Sequence, residues 1–169
     1  PLYSSAASDV YKRQYLDGTG EYMEKGYVAL DHNGSAASLT LEYAYDDWTI
    51  YHTALLAGNR SVADTYKKRA ANYTNVFDTN MGYARPRYAD GRWKENFNLL
   101  NTHGEGFIEG NALNYSFYVP QDVDTMIRLM GGDKSFVSKL DSLFTMHLPA
   151  EFFAQTEDCL LYTSDAADE

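Results

Sequence analysis

The sequence predicts an all-α fold carrying one small β-hairpin. Apolar residues recur at helical spacing in one segment after another, and capping residues or glycines close most of those segments. Alternating strand pattern is nearly absent. Only a short stretch around Asp90-Gly91 has the turn chemistry of a hairpin.

Taken in order, residues 15–30 are polar and interrupted by Gly18, Gly20 and Gly26, which predicts a loop with a short extended stretch at 27–30. Asn33-Gly34-Ser35 opens a long helix. Leu39, Tyr43, Ile50, Ala54 and Leu55 form its stripe, with Leu41, Tyr45, Trp48 and Leu56 around it, and Gly58 closes it as a left-handed cap. Ser61-Val62-Ala63-Asp64 has the form of a capping box with a shorter acid. The helix that follows turns Tyr66, Ala70, Tyr73, Val76 and Phe77 inward and Lys67, Lys68 and Arg69 outward, and ends at 78–82.

Residues 83–93 read as the small hairpin. Residues 95–109 are rich in Asn and Gly and too long for a plain linker, so they form a candidate functional loop. Residues 112–118 are helical up to Pro120. Asp122 caps a helix that runs to Met130 and stops at Gly131-Gly132. Asp133 or Ser135 opens the last helix, with Phe136, Leu140 and Leu143 inward. Helices joined by long irregular loops place function on the loops.

A net charge of −10 disfavours attraction to nucleic acid or to an anionic membrane. No apolar run approaches the roughly 20 residues that a membrane helix needs, which predicts no membrane insertion. The chain holds 15 Tyr, 8 Phe and 2 Trp, a supply of flat faces suited to sugar C–H groups as well as to helix packing.

The two ends are expected to be foreign to the protein. SSAASDVYKRQ at 4–14 and CLLYTSDAADE at 159–169 can be encoded by one nucleotide string read on opposite strands, and that string resembles a sequencing-library adapter. Residues 1–14 and 159–169 are therefore set aside as adapter-derived, and 15–158 is treated as the native segment. The single cysteine, Cys159, leaves with them, so neither a disulfide nor a thiolate site is expected in the rest.

Three stretches concentrate polar and aromatic residues. In TLEYAYDDW, Glu42 and Asp46 share a helix face, with Asp47 and Trp48 beside them. Like charges at that spacing are mildly destabilising; the residues suit a site, or a solvated face. In GYARPR and DGRW, Arg forks and a Trp face suit sugar or carboxylate recognition, or a turn held by an Arg–Asp pair. In GEGFIEGNALNY, Glu109 stands at a loop-to-helix junction. Partial burial among Phe107, Ile108 and Tyr115 would raise its pKa, as a general acid requires; an N-terminal cap is the alternative.

TLEYAYDDW, NYTNVFD, GYARPR with DGRW, EGNALNYSFYVPQDV and MGGDKSFVSKLDSLF occur in the order and approximate spacing of family 92 glycoside hydrolases, and the segment resembles the middle of their catalytic domain. The resemblance implies part of an (α/α)6 barrel and calcium-dependent, inverting exo-hydrolysis of terminal α-mannosides, with a mannose-containing glycan as partner and a secreted or periplasmic parent. It places Glu109 on the general acid, and Asp46, Asp47, Trp48, Asn111 and Tyr115 among substrate-binding positions. Calcium ligands are not located by it. Leu113 and Asn114 stand where many members carry Trp and Gln. The family's catalytic base belongs to a later motif beyond residue 158, so the fragment alone is expected to be inactive. A non-catalytic carbohydrate-binding helical module, or another (α/α)6 glycosidase, remains an alternative reading.

Overall fold

The computed structural model describes residues 18–102 and 105–147; both ends assigned to the adapter lie outside them. The first element is a helix where a loop was expected. Helix α1 (Thr19–Lys25) fits between Gly18 and Gly26, whose φ values of 85° and 80° place them in the left-handed region. Two of the three glycines thus mark the ends of a helix and do not break one. Tyr22 faces inward from α1 and is wholly buried.

Helix α2 (Ala36–Leu56) runs through the centre and ends ahead of Gly58, at φ 72°. Its N-terminal half buries two sides. Ala37, Leu41 and Ala44 face the main core, while Ala36 joins Tyr22 and Val28 in a smaller one, with Leu39 and Tyr43 packed against it. The expected stripe therefore holds only in part. Ala36, Ala37, Ala44 and Ala54 are buried, while Ile50, Leu55 and Leu56 are exposed, Leu56 at 92%.

Helix α3 (Arg60–Arg69) starts before the expected box. Asn59 is the N-cap, its side chain accepting from the Val62 amide at 3.2 Å. Beyond Ala70 the chain becomes a 3-10 turn (Asn72–Val76) and then strand β1 (Phe77–Asp78), paired antiparallel with β2 (Tyr83–Ala84). Ala70, Tyr73, Val76 and Phe77 are buried as their spacing suggests, although three kinds of backbone share the stripe. The sheet forms one step earlier than expected, with Gly82 at φ 69° completing its turn. Around Asp90-Gly91 there is a single antiparallel bridge, Arg87 with Trp93.

The described residues of 95–110 carry neither helix nor strand, in line with a long connection. Helices α4 (Ala112–Tyr115), α5 (Val123–Leu129) and α6 (Asp133–Thr145) follow. Asp122 caps α5 through the Thr125 amide at 3.2 Å. Phe107, Ala112, Val119, Met126 and Met130 close the main core over Leu41, Tyr73 and Phe77. Helix α6 leans on that core through Phe136 but buries no residue completely, and Phe144 stands 83% exposed.

Candidate active site

Glu109 sits where the irregular loop meets α4. Its φ of 50° is left-handed, which among the described non-glycine residues only Asn96 shares. Such a conformation costs an L residue about 1–2 kcal/mol and persists where surrounding contacts enforce it. Those contacts can be named. Before Glu109, the Gly106 carbonyl accepts from the Ala37 and Ser38 amides, at 2.8 and 3.2 Å, at the start of α2. Phe107 is buried against the Phe97 and Tyr115 rings. After it, Asn111 and Asn114 form a reciprocal capping box for α4. A Cβ at Gly110 would lie 2.9 Å from the Tyr115 ring, so only glycine lets that ring fold back beneath the turn.

The result is an exposed Glu109 side chain over an open hollow of about 370 Å³, shared with Glu42, Asn114, Tyr115 and Tyr118. The Tyr115 hydroxyl donates to Glu42 Oε1 at 3.4 Å, a long bond. Burial and the nearby Glu42 and Glu109 carboxylates raise the Tyr115 phenol, keeping it a donor. The expectation of a partly buried Glu109 is not met: its side chain is exposed, and Ile108 beside it is 49% exposed.

The other singled-out residues divide. Asp46, one turn of α2 beyond Glu42, is at the surface, with enough protein around it that desolvation holds its carboxyl above the usual range. Asp47 is 2% exposed, and both its oxygens are taken. Arg69 grips Oδ1 at 2.9 Å and Oδ2 at 3.0 Å, and Tyr22 donates to Oδ2 at 2.8 Å. Burial pushes this carboxyl up, while Tyr22 and Arg69 oppose the shift. Arg69, expected to point outward, thus turns in and ties α3 to α1 and α2. Asn111 is occupied as the α4 cap and also donates to the Leu100 carbonyl at 3.3 Å.

Trp48 is half-buried, stacked on Tyr45 at 5.8 Å, and Tyr45 in turn meets Tyr118 edge-on at 5.9 Å. It lines a second hollow of about 200 Å³ with Tyr51, Lys67 and Gln121. The structure therefore brings Glu109 and Tyr115 together, sets Asp46 and Trp48 along the same helix, and gives Asp47 and Asn111 structural tasks.

Three lining residues, Glu42, Asn114 and Tyr118, were not singled out as binding positions. Glu42 shares a helix face with Asp46, and Tyr118 follows Tyr115 by three residues; that spacing was the available signal. The arginine-rich stretch resolves toward structure. Arg85 binds Asp78 at 2.9 Å, and Arg87 donates to the Gly91 carbonyl and lies over the Trp93 and Tyr27 rings. Among the described residues no group of three His, Cys, Asp or Glu side chains could hold a metal ion.

Helices around the loop that presents Glu109, with tyrosines and carboxylates converging on an open hollow, make a polar and aromatic site on a helical fold. The chain belongs to glycosyl hydrolase family 92: the profile of that family's catalytic domain matches residues 2–165. Among solved structures, a family 92 α-mannosidase from Bacteroides thetaiotaomicron is similar with a TM-score of 0.75 and 37% identity, over 79% of this chain and 18% of that one. Its complex with mannoimidazole matches with a TM-score of 0.76 and 35% identity, over 79% and 18%. An inverting family 92 mannosidase from the same organism matches with a TM-score of 0.74 and 29% identity, over 90% of this chain and 20% of that one. A curated relative, an uncharacterized secreted glycosidase of Arthroderma benhamiae, is 30% identical over 139 residues, 69% of this chain and 18% of its own length. The chain thus spans about a fifth of the length of these relatives. The mostly helical fold is part of an (α/α)6 barrel.

Proposed function

We propose that this chain is the acid-bearing part of an inverting exo-α-mannosidase and that Glu109 is the general acid. The observation that carries the reading is the strained backbone at Glu109. A φ of 50° holds an exposed carboxyl over a hollow in a chain of this family. Similarity to mannosidases, one of them bound to mannoimidazole, supports a mannose-containing glycan as substrate. The secreted fungal relative supports export of the whole protein.

In the proposed reaction the protonated Glu109 gives its proton to the glycosidic oxygen as the bond to the anomeric carbon breaks. Water adds to the opposite face of that carbon and yields its proton to a second carboxylate. Inversion requires the two carboxyl groups roughly 6.5–9.5 Å apart, leaving room for the water. The base is assigned to a later part of the parent, so residues 15–158 alone are inactive. Tyr115, Asp46 and Trp48 are proposed sugar contacts; Asp47 and Asn111 act by holding α2 and α4. Calcium is implied by the family resemblance, and no step is routed through it.

Glu109→Gln in the full-length enzyme tests the reading. General acid catalysis is worth about 10²–10⁴-fold, so kcat on a mannoside with a poor leaving group falls by about that factor. An activated aryl mannoside needs little protonation and loses far less. Equal losses on both substrates would remove Glu109 from proton transfer.

A further inference from the structure

The loop that carries Glu109 is fastened at a buried ion pair four residues upstream. Lys94 Nζ lies 3.1 Å from Glu105 Oε2, and the two side chains are only 17% and 8% exposed. The ammonium approaches that oxygen without a well-directed hydrogen bond, while Glu105 Oε1 accepts from Asn101 Nδ2 at 3.3 Å. Lys94 is itself clamped to the hairpin. Its amide donates to the Pro86 carbonyl at 3.0 Å, and its carbonyl accepts from Arg85 Nε at 2.9 Å and from Arg85 Nη2. Arg85 continues to Asp78 in β1. From Glu105 onward the chain is pinned at Gly106 and Phe107, and then Ile108 and Glu109 are turned outward.

A buried ion pair is weak evidence for stability, because desolvating both charges offsets most of their attraction; fixing register is its best-attested use. Here the register at stake is that of the loop. The described residues of 95–110 have no helix or strand to position them, yet Glu109 must be placed to within a fraction of an ångström for proton transfer. We infer that Lys94 and Glu105 form a positioning latch that sets the reach of the Glu109 carboxyl. The inference rests on Glu109 being the acid. Neither latch residue lines the hollow, so the pair acts through the loop and not on the sugar.

The test uses the full-length enzyme and the two mannosides described above, with Glu109→Gln as reference. Glu105→Gln keeps the size of the side chain and removes its charge; Lys94→Met keeps the stem and removes the ammonium. Each is expected to lower kcat on the poor-leaving-group mannoside by about 10- to 100-fold. KM should change little, and the activated substrate should lose less than about threefold, since it does not need the acid. The Lys94→Met/Glu105→Gln double variant should be no worse than either single, because one contact is lost in all three. Lys94→Arg should keep the wild-type ratio between substrates. Should Glu105→Gln fail to fold, the Lys94 pair of variants decides. A substrate ratio unchanged by the latch variants, through equal losses or none, overturns the latch. A reference variant with no leaving-group dependence overturns the assignment of the acid instead.

Discussion

At the residue scale, Glu109 is held in a backbone conformation that its own side chain disfavours. Glycine adopts φ near 50° without a Cβ penalty. Glu109→Gly should therefore raise the stability of the full-length enzyme by up to about 1 kcal/mol while removing its acid catalysis. Thermal unfolding and kcat measured on the same preparation check this; a lowered Tm would show that the left-handed turn carries no strain. Asp47 makes the opposite case. Its carboxylate is enclosed between Arg69 and Tyr22, so Asp47→Asn breaks a buried pair. The loss should be about 2–4 kcal/mol, below that of a fully enclosed pair because Arg69 reaches solvent. The fraction that remains folded should keep its KM. A raised KM at unchanged stability would make Asp47 a sugar ligand.

At the element scale, α1 is joined to the chain after it by Glu21. Oε2 accepts from the Ala29 amide at 3.0 Å, and Oε1 meets Lys25 and His32 at 3.0 Å each. Burial works to raise the Glu21 carboxyl, but the Ala29 amide, Lys25 and His32 together outweigh it and leave it lowered. A lowered carboxylate contributes stability that is fully present above its unfolded pKa, about 4.3, and is lost as pH falls through the lower folded value. Acidification below about pH 4 should loosen α1 before the main core, read as lowered amide-exchange protection over residues 19–25. Glu21→Gln should already show lowered protection, taken relative to the intrinsic exchange rate at each pH, at neutral pH and no further loss of protection on acidification. Equal acid sensitivity in the variant would assign the transition to another group. The same scale explains the glycine of the EGN motif. Gly110→Ala forces the Tyr115 ring away from a position 2.9 Å from the new Cβ, so it should disturb the hollow more than the helix.

At the scale of the whole molecule, the three most exposed large apolar side chains among the described residues lie on α2 and α6. Leu56 is 92% and Phe144 83% exposed, with Val137 at 53% and Leu55 at 41%. The chain spans about a fifth of the length of its relatives, and each Å² of apolar surface left in water forgoes about 25 cal/mol. Residues 15–158 produced alone should unfold without a sharp transition and associate as concentration rises, measured by urea titration and light scattering. A cooperative monomeric transition would show a self-sufficient unit.

What the sequence by itself determined is set by short-range chemistry. Caps at Asp122 and Gly58, the glycine pair after Met130, the turn at Asp90-Gly91 and the buried 70–77 stripe act over a few residues and are legible in any order of reading. The motif order likewise carried the family. Only tertiary structure decided what those side chains touch. Asp47 and Arg69 lie 22 residues apart, and Glu42 and Tyr115 lie 73 apart, so neither contact leaves a local trace. Helix α1 was missed because glycine punctuation reads alike inside a loop and at the two ends of a helix. The stripe of α2 was misjudged because half of its buried residues are alanines, which no hydrophobic pattern emphasises. The exposure of Glu109 followed from its φ, and a loop's φ is imposed by the contacts on either side of it, here the α2 amides and the α4 cap.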